Sequence, residues 1–570
     1  MQDLSKLKKQ TFLQGAIVLV VANLLTKVIG AIFKIPLANV LDENGMGIYN
    51  SAYQCYVFCF IIATAGIPIA VSKMVSENMA LGKTRNVDRI FRIEMMLITG
   101  LGALGAVALL LFADQIAAFM EGADGTALSI RIIAPALIFV AIMSGLRGYF
   151  QGMQNMFPTA ISEVLEAAGK PVFGLVLAYY FINSGMKYAA GGAITGVTVG
   201  TVIGATFILW MYRTNKKSMR ISDLPKGEVS AYRDIFKTLV WIAIPITIGA
   251  CVSSLTTLAD TLFIRRILMG IEFTADEAQA LFNRYSSFAG SGEFDVLLSQ
   301  LKLDKTAANW LYGSYSGYAM TVYNLPLALI TAVATCVVPA LSGAFAGNKK
   351  RESNMIIASS IRITVLFSLP CTVGLSALAT PILTTLYGTD ASAGMLQVLS
   401  FAIVWVTLVS VTTSILQAAG KVWLPVIHMV IGAVVKIAAS YIFIGIPSVN
   451  ILGASISTVL CYFVIAALNI FAVMRATGFR FSVANFVLKP VIASGAMGIV
   501  TVAVYKVCAN LLPATRMGAI CITAASIAVA AVTYVLMVVL LRIIRQDDIK
   551  LLPKGEKLAA ILEKRGIIKE

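Results

Sequence analysis

Long apolar stretches separated by short polar segments run along nearly the whole chain. Each is about as long as the roughly 20 residues that a helix needs to cross a bilayer. Glycine and proline are scattered through them, which transmembrane helices tolerate better than soluble helices do. The approximate spans are 12–38, 48–72, 92–113, 126–147, 158–183, 190–212, 236–262, 311–342, 357–380, 394–418, 424–446, 451–474, 486–510 and 517–542. The pattern predicts an all-α membrane protein with 14 transmembrane helices.

The composition supports this prediction. Of the 570 residues, 58% are hydrophobic and only 13% are charged, against about 25% charged residues in soluble proteins. The mean hydropathy is +0.86. These values exclude a soluble globular protein and a disordered one. Fourteen spans also leave no room for a large water-soluble domain.

The positive charges lie in clusters between the apolar stretches. The net charge is +17, but the basic residues form no single patch, so we expect no nucleic-acid partner. Every second loop is basic and the loops between them are acidic or mixed, which places both termini in the cytoplasm and the chain in the cytoplasmic membrane. The basic clusters fall at 6–9, 73–92, 213–237, 349–351, 475–489 and 542–545.

Residues suited to catalysis or metal binding are scarce. The eight cysteines form no CxxC pair, and His428 is the single histidine. The chain has no Walker-type G-x-x-x-x-G-K-[ST] motif, so ATP is not the direct energy source. We therefore predict no enzyme activity, no metal site and no cofactor. Gly196 and Gly200, at small-xxx-small spacing, are expected to pack helices.

A weak internal repeat divides the chain. Gln151 and Lys170 recur as Gln417 and Lys436, both at an offset of 266 residues. Parallel repeats are typical of transporters, with the substrate site between the two halves. The predicted domains are a six-helix lobe at 1–213, a cytoplasmic linker at 214–235, a second six-helix lobe at 236–475 with an external loop at 265–310, two added helices at 486–542 and a basic cytoplasmic tail at 543–570.

Two segments carry a family resemblance. They are GIPIAVSKMVSE at 66–77 and RGYFQGMQNMFPTA at 147–160. With the helix layout they resemble the polysaccharide-transporter branch of the multidrug/oligosaccharidyl-lipid/polysaccharide exporter superfamily, and within it the stage V sporulation protein B-like lipid II flippases. The resemblance implies a V-shaped, two-lobed bundle that works by alternating access. It also implies outward transport of undecaprenyl-pyrophosphate-linked sugars, in peptidoglycan synthesis or sporulation.

Charged residues inside the spans are candidates for the site, because a charge at the bilayer centre costs about 2.5–3.5 kcal/mol. Lys27 and Lys34 share one face of the first helix and can receive a pyrophosphate as point charges. Glu166 and Lys170, with Glu163 on the same stripe, mark the fifth helix, and Arg147 ends the fourth. Alternatives stay open: Lys34 snorkels to the interface, Glu166 and Lys170 form a static ion pair, or Arg147 is a positive-inside anchor.

In the second predicted lobe, Asp260 and Lys436 are opposite charges inside the membrane. We expect them to pair. Related flippases can bind a cation there through acidic ligands, and Lys436 departs from that pattern, which counts against sodium. Coupling to Na⁺, to H⁺ or to the membrane potential remains open.

Three functions are compatible with the sequence. The favoured one is a monomeric flippase for a polyprenyl-pyrophosphate-linked saccharide such as lipid II. A cation-coupled multidrug antiporter would use the same scaffold, but it would need an acidic cavity. A membrane glycosyltransferase or polymerase would need a catalytic carboxylate, for which loop 265–310 offers Glu272, Asp276, Glu277, Glu293 and Asp295 without a recognisable arrangement.

The alternation of loop charges gives a testable topology. In intact cells, a cysteine at position 285, in the loop 265–310, should react with an impermeant maleimide added outside. A cysteine at position 217 should react only after the membrane is opened. The opposite labelling pattern would overturn the assignment of both termini to the cytoplasm.

Overall fold

A computed structural model of the protein describes most of the chain, and every regular element in that part is helical. Contacts divide it into two compact units. The first unit is Met1–Arg266 with Lys305–Gly313, and the second is Ile267–Asp304 with Ser314–Glu570. The described residues are 12–80, 84–120, 124–153, 155–216, 230–285, 294–327, 337, 341, 345, 350–421, 423–479, 488–511, 516–541 and 543.

The first unit is built from long helices around one apolar cluster on α2, α3, α6, α8 and α9. Its helices are α1 (Phe12–Thr64), α2 (Ile67–Ala80), α3 (Thr84–Leu111), α4 (Ala113–Phe119), α5 (Thr126–Ile133), α6 (Ala136–Gly152), α7 (Phe157–Phe181), α8 (Met186–Lys216), most of α9 (Tyr232–Met269) and α12 (Lys305–Gly313).

The second unit contains the short helices α10 (Ala275–Tyr285) and α11 (Asp295–Gln300), followed by long ones. A π-helical turn at Ser314–Ala319 precedes the long helices. The long helices and their short extensions are α13 (Lys350–Ala377), α14 (Ala379–Tyr387), α15 (Ala393–Ser400), α16 (Ala402–Ala418), α17 (Trp423–Ile444), α18 (Leu452–Thr477), α19 (Lys489–Leu511) and α20 (Arg516–Leu540). The two lobes inferred from the repeat are a different division and stay a prediction.

The described part contains twelve helical segments that are long and apolar enough to cross a membrane. The all-α membrane fold is therefore confirmed, whereas the count of fourteen is not. The first segment, Val28–Ser72, contains the second predicted span and the end of the first, 28–38. The predicted span 311–342 includes residues outside the described ranges.

One residue separates the first two predicted spans. Asp42 has φ 52° and ψ −170°, so the helix breaks there and restarts within α1. The Gly45 N–H donates to Asp42 Oδ1 at 2.9 Å, which is the bond that an N-capping aspartate makes. A short polar side chain tolerates positive φ better than most residues do. The predicted polar loop is thus a kink capped by Asp42.

The predicted loop 265–310 begins later than its sequence indicates and contains short helices. Helix α9 continues to Met269 and is followed by three short helices. A capping box starts α10: the Thr274 N–H donates to Glu277 Oε2 at 2.9 Å, and these bonds lower the pKa of Glu277. Tyr285 is buried and stacks on Phe294. The exposed Gln279 is therefore a better labelling position than 285 for the topology test.

Glycines bring α7 and α8 into direct backbone contact, as their spacing predicts. A methyl group added at Gly196 would lie 2.4 Å from the Gly174 Cα, and one at Gly169 would lie 2.5 Å from the Gly200 Cα. Neither obstacle is a side chain that can rotate away. This close approach fixes the position of α7, which carries two of the carboxylates and one of the lysines discussed below.

Substituting Gly196 should separate these two helices. We expect Gly196→Ala to lower stability by about 1–3 kcal/mol, because the added methyl group meets backbone atoms. The measurement is thermal unfolding in detergent. Gly100→Ala is the control, since nothing lies within 4 Å of a methyl group at that exposed glycine. Equal unfolding temperatures for the two variants would contradict the packing argument.

Candidate functional site

A charged cavity of about 360 Å³ lies within the first unit, bounded by α1, α6 and α7. Four of the charged residues that the sequence singled out line it together. Glu163 joins them, although the sequence analysis placed it only on the stripe of α7. The described residues that line it are Thr26, Gly30, Phe33, Lys34, Tyr49, Tyr53, Arg147, Glu163, Glu166, Ala167 and Lys170.

Glu166 is the centre of the charge network. Its Oε1 lies 3.2 Å from the Lys170 Nζ, one helical turn further along α7, in the order that stabilises i,i+4 pairs. Its Oε2 lies 3.2 Å from Nη2 of Arg147 on α6. Arg147 also donates from Nε to the Ser162 Oγ at 2.8 Å. One carboxylate therefore holds two cations from two helices.

The cavity has more cations than carboxylates. Lys34, Arg147 and Lys170 carry three positive charges against two carboxyl groups, so the excess is at least one. Lys34 has no ion pair among the residues that the structure describes. The buried Glu163 Oε2 likewise has no hydrogen-bond partner in the described ranges. An excess of positive charge in a cavity of a membrane protein favours an anionic ligand.

An aromatic row forms one wall of the cavity. Tyr49 and Tyr53 stack with ring centroids 5.9 Å apart, and Tyr56 and Phe60 continue the row along α1. Phe33 meets Tyr49 edge-on at 6.4 Å. Tyr49 and Tyr56 are buried, whereas Tyr53 is half-buried at the cavity. The tyrosines are spaced i, i+4, i+7 along α1, and the fold brings two of them, Tyr49 and Tyr53, to the cavity that Lys34 and Lys170 line.

The remaining candidates lie elsewhere. The Lys27 side chain is outside the described residues. Asp260 and Lys436 are both buried, at 5% and 3% exposure, and belong to different contact units, so their pairing stays a prediction. No group of three or more metal-ligating side chains occurs among the described residues.

A buried arginine that the sequence assigned to a loop anchors the first unit. Arg265 is fully buried and donates to the Ser51 Oγ and the Met120 carbonyl oxygen at 2.8 and 2.9 Å. Its guanidinium also lies over the Tyr312 ring, 4.5 Å from the centroid. Arg265 thus joins α1, α9 and α12. Its charge suggested a loop, and only the tertiary structure supplies the acceptors that allow its burial.

Removing the Glu166 carboxylate should leave two cations without their shared partner. We expect Glu166→Gln to lower stability by about 1–3 kcal/mol, the cost of losing hydrogen bonds between charged groups at a partly buried site. Adding Lys170→Met should restore part of that loss, because one uncompensated charge is then gone. Thermal unfolding in detergent measures both variants. Additive losses in the double variant would show that the two side chains do not act together.

Comparisons with known proteins agree on the family. The model of a family described as "Polysaccharide biosynthesis protein" matches residues 12–345. Stage V sporulation protein B of Bacillus subtilis (strain 168) is 24% identical over 551 residues, covering 96% of this chain and 98% of its own. Lipid II flippase MurJ of the same organism is 25% identical over 490 residues, covering 83% and 84%.

Solved structures show the same fold. A structure titled as lipid II flippase MurJ in an inward closed conformation superposes with a TM-score of 0.63 at 15% identity, covering 92% of this chain and 98% of that one. An inward-facing multidrug resistance MATE family transporter gives a TM-score of 0.58 at 16% identity, covering 79% and 98%. The chain therefore belongs to the polysaccharide biosynthesis protein family and is a multi-pass membrane protein with the fold of the MurJ and MATE transporters.

Proposed function

We propose that this protein is a flippase that moves an undecaprenyl-pyrophosphate-linked saccharide outward across the cytoplasmic membrane by alternating access. Lipid II is the favoured cargo. The observation that carries the proposal is the cavity in the first unit, where Lys34, Arg147 and Lys170 outnumber two carboxyl groups. The relatives named as a lipid II flippase and a sporulation protein support it.

The chemistry of the cargo fits this cavity. A polyprenyl tail stays in the bilayer, so the protein needs to shelter only the pyrophosphate and the sugars. The pyrophosphate is an anion that must cross a region where water is scarce. Arg147 offers a planar fork to phosphate oxygens, and the two lysines act as point charges. Lys34 is the first contact, because no carboxylate competes for it in the described part.

Glu166 provides a route for release. It holds Arg147 and Lys170 through two ion pairs and so competes with the pyrophosphate for the same donors. Binding would exchange those pairs for phosphate contacts, and release would restore them. Such an exchange keeps the binding loose, which a transporter needs if the cargo is to leave.

Further parts of the proposal concern energy and assembly. Transport is coupled to an ion or to the membrane potential, for which the buried Asp260 and Lys436 are the candidate residues. The protein works as a monomer, without a cofactor, and has both termini in the cytoplasm. The two-lobed V shape that the family resemblance implies would open the cavity to each side in turn.

A cation-coupled multidrug antiporter is the second candidate, and the fold similarity to a MATE transporter favours it. The positive excess in the cavity opposes it, because a cationic drug needs an acidic site. A glycosyltransferase is less well supported still. Of its candidate carboxylates, Glu272 forms an exposed ion pair with Lys302 at 2.9 Å that lowers the pKa of Glu272, and Glu277 caps a helix.

Substituting Lys34, which has no ion pair among the described residues, tests the proposal. Lys34→Ala should reduce outward translocation of lipid II in proteoliposomes at least about tenfold, while the folded yield is kept because a buried charge is lost. Lys34→Arg should retain part of the activity, since charge matters more than geometry for this contact. We expect the same pattern for Lys27. Lys350→Ala, at an exposed lysine on α13, is the control.

Two results would contradict the proposal. Wild-type translocation by Lys34→Ala would remove this residue from the mechanism. Failure of the wild-type protein to move any polyprenyl-pyrophosphate sugar, together with efflux of cationic drugs, would replace the flippase by the antiporter.

A further inference from the structure

A carboxyl group that takes no part in the cavity is buried in α3. Glu94 is fully buried, with 0% of its surface exposed. It lies two residues after Arg92, the last of the basic residues at the start of α3, and within the segment Arg85–Leu111 that is long and apolar enough to cross a membrane. Glu94 is thus a buried acid near the start of a candidate membrane span.

Two glycines of α6 leave the space that this carboxyl group occupies. A methyl group added at Gly145 would lie 3.6 Å from the Glu94 Oε1, and one at Gly148 would lie 3.1 Å from it. The same added atom at Gly148 would lie 2.9 Å from the Pro68 carbonyl oxygen of α2. The carboxyl group is therefore enclosed by α2, α3 and α6. The surrounding apolar cluster includes Ile67, Val71, Ile90, Ile98 and Leu146.

Among the described residues, no charge or hydrogen bond compensates this burial. Neither oxygen of Glu94 has a hydrogen-bond partner within the described ranges, and no cation pairs with it there. On α6, Arg147 is directed to α7 instead. The other titratable groups on the packed elements include the exposed Arg85, Asp88 and Arg92 and the Ser230-bound Arg89 on α3, the buried Tyr149 on α6 and Cys59 on α1. Lys73 and Glu77 lie on α2, and their side chains are outside the described residues.

An ionised carboxylate in such surroundings is far less stable than the neutral acid. We propose that Glu94 is a buried proton-binding site, which holds a proton while α2, α3 and α6 are packed together and releases it when they separate. The ligand is one proton, and no other group is needed to balance the step. Water or a cation that enters when the helices part would stabilise the carboxylate.

This site links pH to the conformation of the first unit. Since the packed arrangement binds one more proton than an open one, acid favours packing and alkali favours opening. The same sign applies to unfolding. Above the range where a free glutamate ionises, near pH 4.3, the folded state retains a proton that the unfolded state has lost. Stability therefore falls as pH rises, by up to about tenfold in the folded-to-unfolded ratio per pH unit.

The test uses the purified full chain without lipid II, so that it is independent of the proposed cargo. Infrared spectra should show the carbonyl stretch of a protonated carboxyl group at neutral pH. Glu94→Gln should remove the intensity of one group from this band, and Asp88→Asn, at an exposed acid of the same helix, should remove none. In D₂O this band should shift only slowly, because a buried proton exchanges slowly with the solvent.

Thermal unfolding gives a second measurement. The unfolding temperature of the wild type should fall more steeply with rising pH than that of Glu94→Gln. If the glutamine variant does not fold, Glu94→Leu replaces it, because an apolar side chain suits this cluster. A wild-type spectrum without a protonated carboxyl band at neutral pH would overturn the proposal. A protonated carboxyl band that keeps its full intensity in Glu94→Gln or Glu94→Leu would also overturn it.

Discussion

The carboxylate of Glu166 is the group on which the arrangement of the cavity depends. A membrane offers little water to solvate charge, so the cations on α6 and α7 need a partner inside the protein. The Glu166 carboxylate is that partner for Arg147 and for Lys170, each with a nitrogen 3.2 Å from one of its oxygens. This holds Arg147 and Lys170 at the cavity without neutralising Lys34. The result is a site that is stable when empty and retains an excess of positive charge.

Backbone packing makes this arrangement rigid. The glycines of α7 and α8 let the two helices approach so closely that a single methyl group meets backbone atoms. Because van der Waals packing rather than water expulsion holds helices together in lipid, such close contacts are an important source of stability. They fix the helix that carries Glu163, Glu166 and Lys170. Electrostatics and packing therefore act on the same element.

Arg265 and Glu94 are both fully buried in the first unit, but they differ in the polar partners that surround them. Arg265 finds a hydroxyl, a carbonyl oxygen and an aromatic face, so its charge is satisfied and it fastens three helices. Glu94 lies beside glycines, a proline and an apolar cluster, and neither of its oxygens has a hydrogen-bond partner among the described residues. The first is a structural anchor. The second is a carboxyl group whose burial favours the neutral, protonated form.

Apolar stretches and loop charges by themselves determined the helical membrane fold, because a chain in lipid must satisfy its backbone within each helix. Residue spacing also indicated the Glu166–Lys170 pair and the packing glycines, which are local in sequence. The approach of Arg147, Lys34 and Tyr53 to one cavity, the burial of Arg265 and the isolation of Glu94 required the tertiary structure. These depend on which helices pack side by side, and a helix period does not specify its neighbours.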